Sequence, residues 1–131
     1  MDHKLKRFLA IAAIVTLFNG VSYTLDPNVF LPSYGLAPSA GAALGFRLFG
    51  AALLTFGLIL WLVRQSNDWV AVRGVLIGAA VGNVAGTIVS LWAILTGVVN
   101  AVGWLFVVTY VVLLLGYVSF LWAKMRKPAA G

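Results

Sequence analysis

Side chains that could do chemistry are few in this chain, and their types exclude most kinds of catalytic site. The 131 residues include one histidine (His3), three aspartates (Asp2, Asp26 and Asp68), no glutamate and no cysteine. Such a set holds no paired carboxylates, no nucleophile triad and no cluster of metal ligands. The sequence therefore predicts a protein that is not an enzyme, with no catalytic residues, no metal site and no cofactor.

Asn83 is the first polar residue that could serve a function, because it lies near the middle of a long apolar segment. Polar groups inside a membrane are costly and indicate a functional site by default. One interpretation places Asn83 in the wall of a cavity lined by small residues. The other makes it one partner of an interhelical hydrogen bond, with Asn19, Thr55 or Thr109 as the second partner.

Arg47 is the second polar residue that could serve a function, because it lies close to the start of another apolar segment. A charge in that position needs a partner, a water-filled mouth or room to reach the membrane surface. Asp26 is the one acid predicted on the same side, and an Asp26–Arg47 pair would lower the cost of both charges. The pair would either clamp two segments together or line an outer vestibule with Tyr23, Tyr34 and Asn100.

Composition indicates the kind of element that positions these residues. Hydrophobic residues make up 63% of the chain and charged residues 9%, with a mean hydropathy of +1.05, whereas soluble domains carry about 25% charged residues. Four apolar segments approach the roughly 20 residues that cross a bilayer as a helix. They cover residues 8–25, 43–63, 74–95 and 99–123. The sequence predicts one domain over 1–131, an all-α integral membrane four-helix bundle.

Basic residues predict the orientation of this bundle. With four spans, eight of the nine Lys and Arg residues fall on one side, and only Arg47 falls toward the other. Basic loops stay in the cytoplasm, so both termini are predicted to be cytoplasmic. The predicted location is the bacterial cytoplasmic (inner) membrane, as a multi-pass protein. The net charge of +6 reflects these flanks and predicts no nucleic-acid partner.

The first segment and the loop after it each have two interpretations. Lys4, Lys6 and Arg7 before an apolar run are typical of a signal peptide, but a run that continues to Leu25 favours an uncleaved helix. The outer loop 26–41 holds three prolines among apolar residues. Proline favours extended or turn geometry, so this loop is predicted to fold over the outer face as a lid or as a packed plug.

Small residues recur every fourth position in the third segment, forming the glycine ladder Gly74, Gly78, Gly82, Gly86 and Ser90. Such a stripe allows another helix backbone to approach closely. The sequence predicts that the ladder is the main helix-packing surface, and that a leucine at Gly82 or Gly86 would push the neighbouring helix away.

Short motifs over about residues 25–121 resemble an uncharacterised family of small bacterial four-helix integral membrane proteins, known only as a domain of unknown function. The motifs are Leu31-Pro32-Ser33-Tyr34-Gly35-Leu36, Arg47-Leu48-Phe49-Gly50, Gly82-Asn83-Val84-Ala85-Gly86 and Gly97 to Trp104. The resemblance implies the architecture and one functional constellation, formed by Tyr34, Arg47, Asn83, Asn100 and Trp104. A weaker likeness is to the dual-topology fluoride channels. The Thr/Ser/Phe-rich segment of their third helix is absent here, and dual topology does not fit the eight-to-one split of basic residues.

The sequence thus predicts a small non-enzymatic membrane protein with an outer-side cavity. It binds a small or lipophilic ligand, or acts as a subunit of a larger membrane complex; the alternative is a small oligomeric channel or transporter. The expected partners are membrane lipid and either copies of the same chain or a larger membrane complex. The predicted ligand-binding residues are Asn19, Tyr23, Asp26, Tyr34, Arg47, Asn83, Asn100 and Trp104.

Overall fold

Residues 2–127, which the computed structural model describes, form helices and no β-strand. The helices are α1 (His3–Leu25), α2 (Pro27–Ser33), α3 (Ala40–Val63), α4 (Trp69–Leu95) and α5 (Trp104–Met125), with a 3₁₀ turn at Ala101–Gly103. Four of them are long and apolar enough to cross a membrane, namely α1, α3, α4, and α5 together with its 3₁₀ turn. The predicted all-α class is confirmed, and the four helices that could cross a membrane match the four predicted segments in number.

Helices α1 and α4 begin about five residues before the predicted spans. The carboxylate of Asp2 accepts a hydrogen bond from the backbone N–H of Lys4 at 3.1 Å, and that of Asp68 accepts one from Val70 at 2.9 Å. Each aspartate therefore caps a helix that starts in a polar flank. Hydropathy marks only the part of a helix that suits lipid, whereas the cap determines where it begins.

The loop predicted over residues 26–41 contains a helix, α2, and this corrects the expectation of extended or turn geometry throughout. Pro27 occupies the first position of α2, where a missing N–H costs nothing and the fixed φ suits a helix. Leu31 is fully buried and Pro27 is also buried, so α2 packs on the helices beneath it. The chain then turns at Gly35, which has a φ of +75°.

The long helices form two antiparallel pairs, α1 with α3 and α4 with α5. In the first pair, a Cβ added to Gly20 would lie 3.0 Å from the carbonyl oxygen of Gly50, so the two backbones are nearly in contact. In the second pair, the ring of Tyr110 lies over Gly86, with Cε1 2.6 Å from the position of an added Cβ. Contacts within each pair are far more extensive than those between pairs.

The two pairs meet at the end of the molecule that holds the start of α1, the end of α5 and the 64–68 loop, called here the proximal end. A buried core lies there and includes Leu5, Leu9, Leu60, Leu76 and Tyr117. The ring of Phe8 packs edge-on against that of Tyr117, with centroids 5.1 Å apart. Helix α1 therefore supplies part of this core.

The outer surface of the helices is apolar. Large hydrophobic side chains are exposed on all four long helices; Phe18 is 71% exposed and Leu95 79% exposed. A soluble protein rarely leaves so much contiguous apolar surface in water. The surface is what helices in contact with lipid require, in agreement with their length and composition.

Candidate functional site

A cavity of about 560 Å³ lies between the two helix pairs. Helices α3 and α4 line it near their midpoints, α1 lines it with its second half and α5 with its first half. Tyr34, just beyond α2, lines it at the end opposite the core, called here the distal end. None of its lining residues is charged. A smaller pocket of about 190 Å³ at the proximal end has Asp2, Lys124 and Lys127 in its wall. The larger cavity is the candidate site, because its volume is in the range of small-molecule pockets.

The glycine ladder explains much of this space. A Cβ added to Gly74, Gly78 or Gly82 would meet no atom within 4 Å, whereas one added to Gly86 would collide with Tyr110. Gly78 and Gly82 line the cavity. The prediction that the ladder packs against a neighbouring helix is therefore wrong at Gly74, Gly78 and Gly82 within the described structure, and holds at Gly86. The missing side chains leave room between the helix pairs instead of bringing backbones together.

Four polar side chains line the middle of the cavity and are called here the polar wall: Thr16, Asn19, Asn83 and Thr109. Each donates a hydrogen bond to the carbonyl oxygen four residues earlier in its own helix. The donor–acceptor distances are 2.7 Å to Ala12, 2.9 Å to Val15, 2.7 Å to Ala79 and 2.8 Å to Leu105. These bonds stay within single helices, so the expected interhelical hydrogen bond of Asn83 is not formed among the described residues.

Asn83 differs from its neighbours in the polar wall. Its side chain is 6% exposed, and its Oδ1 is buried without a hydrogen-bond partner in the described part of the chain. Because Nδ2 donates to the Ala79 carbonyl, the orientation of the amide is fixed by that bond. The group left over is therefore an acceptor. A buried acceptor without a partner is rare in folded proteins and calls for an explanation.

Aromatic rings line the distal part of the cavity. The hydroxyl oxygens of Tyr23 and Tyr34 lie 3.5 Å apart, and the ring of Tyr34 stacks on that of Phe106 with centroids 4.5 Å apart. Tyr23 also stacks on Phe49 at 5.8 Å. Since Tyr34 follows α2 while Phe106 belongs to α5, this stack joins the helix pairs at the distal end.

Another distal contact, called here the distal clasp, is made by Asn100. Its Nδ2 donates to the carbonyl of Ser33 at 2.9 Å, and its backbone N–H donates to the carbonyl of Tyr34 at 2.9 Å. Its Oδ1 accepts from the N–H of Val102 at 3.0 Å and so caps the 3₁₀ turn. Gly35 leaves room for Asn100, since an added Cβ would lie 3.3 Å from its Cβ. The Tyr34-Gly35 and Asn100 motifs are therefore two halves of one contact.

The structure brings only part of the predicted site together. Asn19, Tyr23, Tyr34 and Asn83 line the cavity, and Asn100 lies beside them in the distal clasp.

Asp26, Arg47 and Trp104 are exposed and lie outside the cavity lining. Phe46 packs on Tyr23 with ring centroids 5.3 Å apart, so the next residue along α3, Arg47, is turned about 100° away from that face. Among residues 2–127, no salt bridge joins Asp26 to Arg47. The proposed clamp or vestibule at these two charges is therefore absent from the described structure.

Several cavity residues were missed from the sequence, above all Thr16, Phe106 and Tyr110. Helical spacing could have identified the first, because Thr16, Asn19 and Tyr23 are separated by three and four residues and share one face of α1. Phe106 and Tyr110 are also four residues apart in α5. In an apolar helix, however, such a pair is indistinguishable from any other packing pair.

No group of three or more potential metal ligands occurs among residues 2–127. What this cavity offers a ligand is apolar contact, aromatic faces, tyrosine hydroxyls and hydrogen-bond acceptors. Comparisons with family models, curated proteins and solved structures found no match. The resemblance to a small bacterial membrane-protein family therefore stays a prediction.

Proposed function

We propose that the protein is a four-span membrane protein that binds one uncharged lipophilic small molecule in the cavity between its helix pairs. The observation that carries this proposal is the cavity itself, about 560 Å³ in volume, lined by aromatic, aliphatic and neutral polar side chains. Pockets for small molecules are mostly apolar with a few polar groups that fix orientation. A charged ligand would be unpaired here, at a large cost in free energy.

A binding role fits this lining better than catalysis. The wall contains no Asp, Glu, His, Lys, Arg or Cys, and these side chains carry most general acid–base and nucleophilic chemistry. Tyrosine hydroxyls are the only titratable groups in the wall. The protein is therefore proposed to be non-enzymatic.

The proposed orientation places the proximal end in the cytoplasm. Basic residues cluster at that end, and three of them lie over tryptophan rings: Arg64 over Trp61 at 3.7 Å, Lys124 over Trp69 at 5.5 Å and Arg126 over Trp122 at 3.5 Å. Tryptophan and basic residues are enriched together at the cytoplasmic surface of membrane proteins. The cavity would then lie in the membrane, with its aromatic part toward the outside of a bacterial inner membrane.

Transport is the second candidate function, since the helix pairs touch mainly at the proximal core and at the distal clasp. When helices pack tightly inside each group but loosely between the groups, the groups can move as rigid units around a site at mid-membrane. Release of the bound molecule to one side of a proteoliposome would distinguish a transporter from a binding protein. A role as subunit of a larger complex would rest on the exposed helix faces instead of the cavity.

Filling the cavity tests the proposal. Gly82→Phe adds a ring where a Cβ meets open space in the cavity wall, and Gly74→Phe adds the same ring to the same helix outside the wall. The probes are 4-octylphenol and its methyl ether, 4-octylanisole, added to delipidated protein and measured by native mass spectrometry. We expect wild type and Gly74→Phe to retain at least one probe and Gly82→Phe to lose about ten-fold in affinity, equivalent to about 1.4 kcal/mol.

Equal retention of both probes by Gly82→Phe and Gly74→Phe would show that the molecules bind to the outer surface of the helices. That outcome would contradict ligand binding in the cavity. Absence of binding by the wild type would remove the binding function altogether.

A further inference from the structure

Packed side chains close the cavity at both of its ends. The proximal core, in which Leu60 and Leu76 are fully buried, lies at one end. At the distal end the ring of Tyr34, itself buried, stacks on that of Phe106 with centroids 4.5 Å apart. A molecule that enters the cavity therefore passes between two helices, from the side.

The side between α3 and α4 is open. Ala52, Gly78 and Gly82 line the cavity and are exposed as well, and Phe49 is 38% exposed. A Cβ added to either glycine would meet no atom within 4 Å. Contacts between α3 and α4 are also far fewer than those within either helix pair. The gap bounded by Ala52, Gly78 and Gly82, called here the α3–α4 opening, thus leads into the cavity.

The side between α1 and α5 differs in the residues that α1 contributes. Leu105 and Thr109 of α5 are exposed, but each cavity residue of α1 is buried or half-buried. These residues of α1 are Val15, Thr16, Asn19 and Tyr23. Exposed lining residues occur on both helices only at the α3–α4 side, which is therefore the side that opens to the surroundings.

The depth of the α3–α4 opening determines what lies beside it. Gly82 is the central residue of α4, and Ala52 is one of the two central residues of α3. In helices that cross a membrane, these centres lie near the middle of the hydrocarbon layer, which is about 30 Å thick. Neither water nor lipid headgroups occupy that depth. The molecules beside the opening are therefore acyl chains.

The lining of the cavity is compatible with hydrocarbon. Most of it consists of aromatic and aliphatic side chains. The four residues of the polar wall already donate hydrogen bonds within their own helices, so an acyl chain that enters breaks none of these bonds. A chain in the cavity gains van der Waals contacts that an empty space would forgo. The abundance of acyl chains in a bilayer favours occupancy by mass action even when affinity is low.

We propose that an acyl chain of a membrane lipid enters the cavity sideways, through the α3–α4 opening. This inference rests on the proposed binding function and names both the chemical class of the bound group and its source, the surrounding bilayer. Because an acyl chain extends from the membrane surface to the middle of the bilayer, the headgroup stays outside the cavity. The charge of the headgroup therefore does not enter the uncharged site.

Photochemical labelling from the lipid tests the inference. The protein is reconstituted in dioleoylphosphatidylcholine vesicles that contain a phosphatidylcholine with a diazirine near the methyl end of one acyl chain. Light expels nitrogen from the diazirine, and the resulting carbene reacts with side chains that touch the chain; mass spectrometry of peptides locates the adducts. In wild type we expect adducts at the half-buried cavity residues Asn19 and Leu113. Their exposed neighbours Phe18 and Val112, which lie outside the lining, should also be labelled.

Ala52→Phe places a ring in the α3–α4 opening. We expect it to lower the adducts at Asn19 and Leu113 about ten-fold, the change in occupancy expected when one added side chain overpacks the path. Adducts at Phe18 should not change. Ala51→Phe is the matched control, because it adds the same ring to the same helix at an exposed position outside the lining. Both sets of adducts should keep their wild-type levels in this control.

Addition of 4-octylphenol to the wild-type vesicles is a second measurement. If the phenol and the acyl chain occupy the same cavity, the phenol should lower the adducts at Asn19 and Leu113 and leave those at Phe18 and Val112 unchanged. Equal loss at all four positions, or no loss at any of them, would contradict a shared site. Thermal unfolding of each variant establishes that it is folded before labelling is compared.

Failure of the inference is distinguishable from failure of the binding function. Wild-type adducts confined to Phe18 and Val112 would show that no chain enters, while retention of 4-octylphenol by delipidated protein would still support the binding function. Absence of both results would contradict both proposals. Adducts at Asn19 and Leu113 that persist in Ala52→Phe, or that fall equally in Ala51→Phe, would contradict entry through the α3–α4 opening. If Ala52→Phe does not fold, Gly78→Leu on the other helix of the opening takes its place.

Discussion

Gly20 and Gly50 allow the backbones of α1 and α3 to approach closely. A Cβ at Gly50 would lie 2.7 Å from the backbone nitrogen of Thr24 and 2.8 Å from the carbonyl oxygen of Gly20. Backbone atoms cannot move aside as a flexible side chain can, so a methyl group at this point must separate the helices. Helices in lipid associate largely through such van der Waals contact.

Gly50→Ala should therefore destabilise the protein by about 1–3 kcal/mol, the cost of overpacking a tight contact. Thermal unfolding in detergent measures the effect. Gly45→Ala is the control in the same helix, because its Cβ would meet nothing within 4 Å. A similar melting temperature for both variants would show that the close approach of Gly20 and Gly50 adds no stability.

The sequence does not reveal which glycines make such contacts. Gly82 stands in a regular series with a period of four, and Gly50 does not, yet Gly50 is the residue in contact. Spacing shows that a helix has a small-residue stripe, but whether the stripe meets a backbone or a cavity depends on the partner helix. Asn83, which lines the cavity, could be singled out from the sequence because a polar group in an apolar run is anomalous in any context.

At the scale of elements, the distal clasp determines how α2 is joined to the turn before α5. Asn100→Ala removes the hydrogen bond to the Ser33 carbonyl and the cap on the N–H of Val102. With about 0.5–1.5 kcal/mol for each hydrogen bond, we expect a loss of roughly 1–3 kcal/mol in the free energy of unfolding. Thermal unfolding in detergent is again the measurement.

Two further variants separate the clasp from the cap. Asn100→Ser keeps a side-chain oxygen that can cap the 3₁₀ turn but is too short to bridge to Ser33, so it should recover only part of the loss. Thr96→Ala is the control, since its hydroxyl bonds within α4 to Trp92 at 2.7 Å. A loss in Thr96→Ala as large as that in Asn100→Ala would show that the bridge between the two segments contributes nothing.

The helices that are long and apolar enough to cross a membrane could be predicted from the sequence, whereas the short helix that depends on tertiary contacts could not. Hydropathy identified the four long helices, because each must be apolar along its length. It missed α2, since a seven-residue helix depends on packing of Leu31 more than on its own composition. The prediction of an Asp26–Arg47 ion pair was wrong for a related reason. An ion pair needs two side chains on facing surfaces, and Arg47 lies on the outer face of α3.

At the scale of the whole molecule, the distribution of charge predicts a single orientation. Eight of the nine basic residues flank the proximal ends of the long helices, and only Arg47 lies toward the distal end. A reporter fused after Gly131 should give a cytoplasmic signal, and one inserted at Pro38 an external signal. Opposite signals would contradict the proposed orientation.

Neutralising Lys4, Lys6 and Arg7 together should produce a population of mixed orientation, since the first helix usually dominates the orientation of the whole protein.

The unequal packing within and between helix pairs has a consequence for biosynthesis. The two helices of each pair are consecutive long helices in the sequence. They can therefore pack together as soon as the second helix of the pair has been synthesised. Low contact order of this kind favours early, local assembly. The first hairpin can thus form in the bilayer while the second is still on the ribosome. The cavity would arise only in the last step, when the two finished hairpins dock, so its formation depends on the weaker contacts between the pairs.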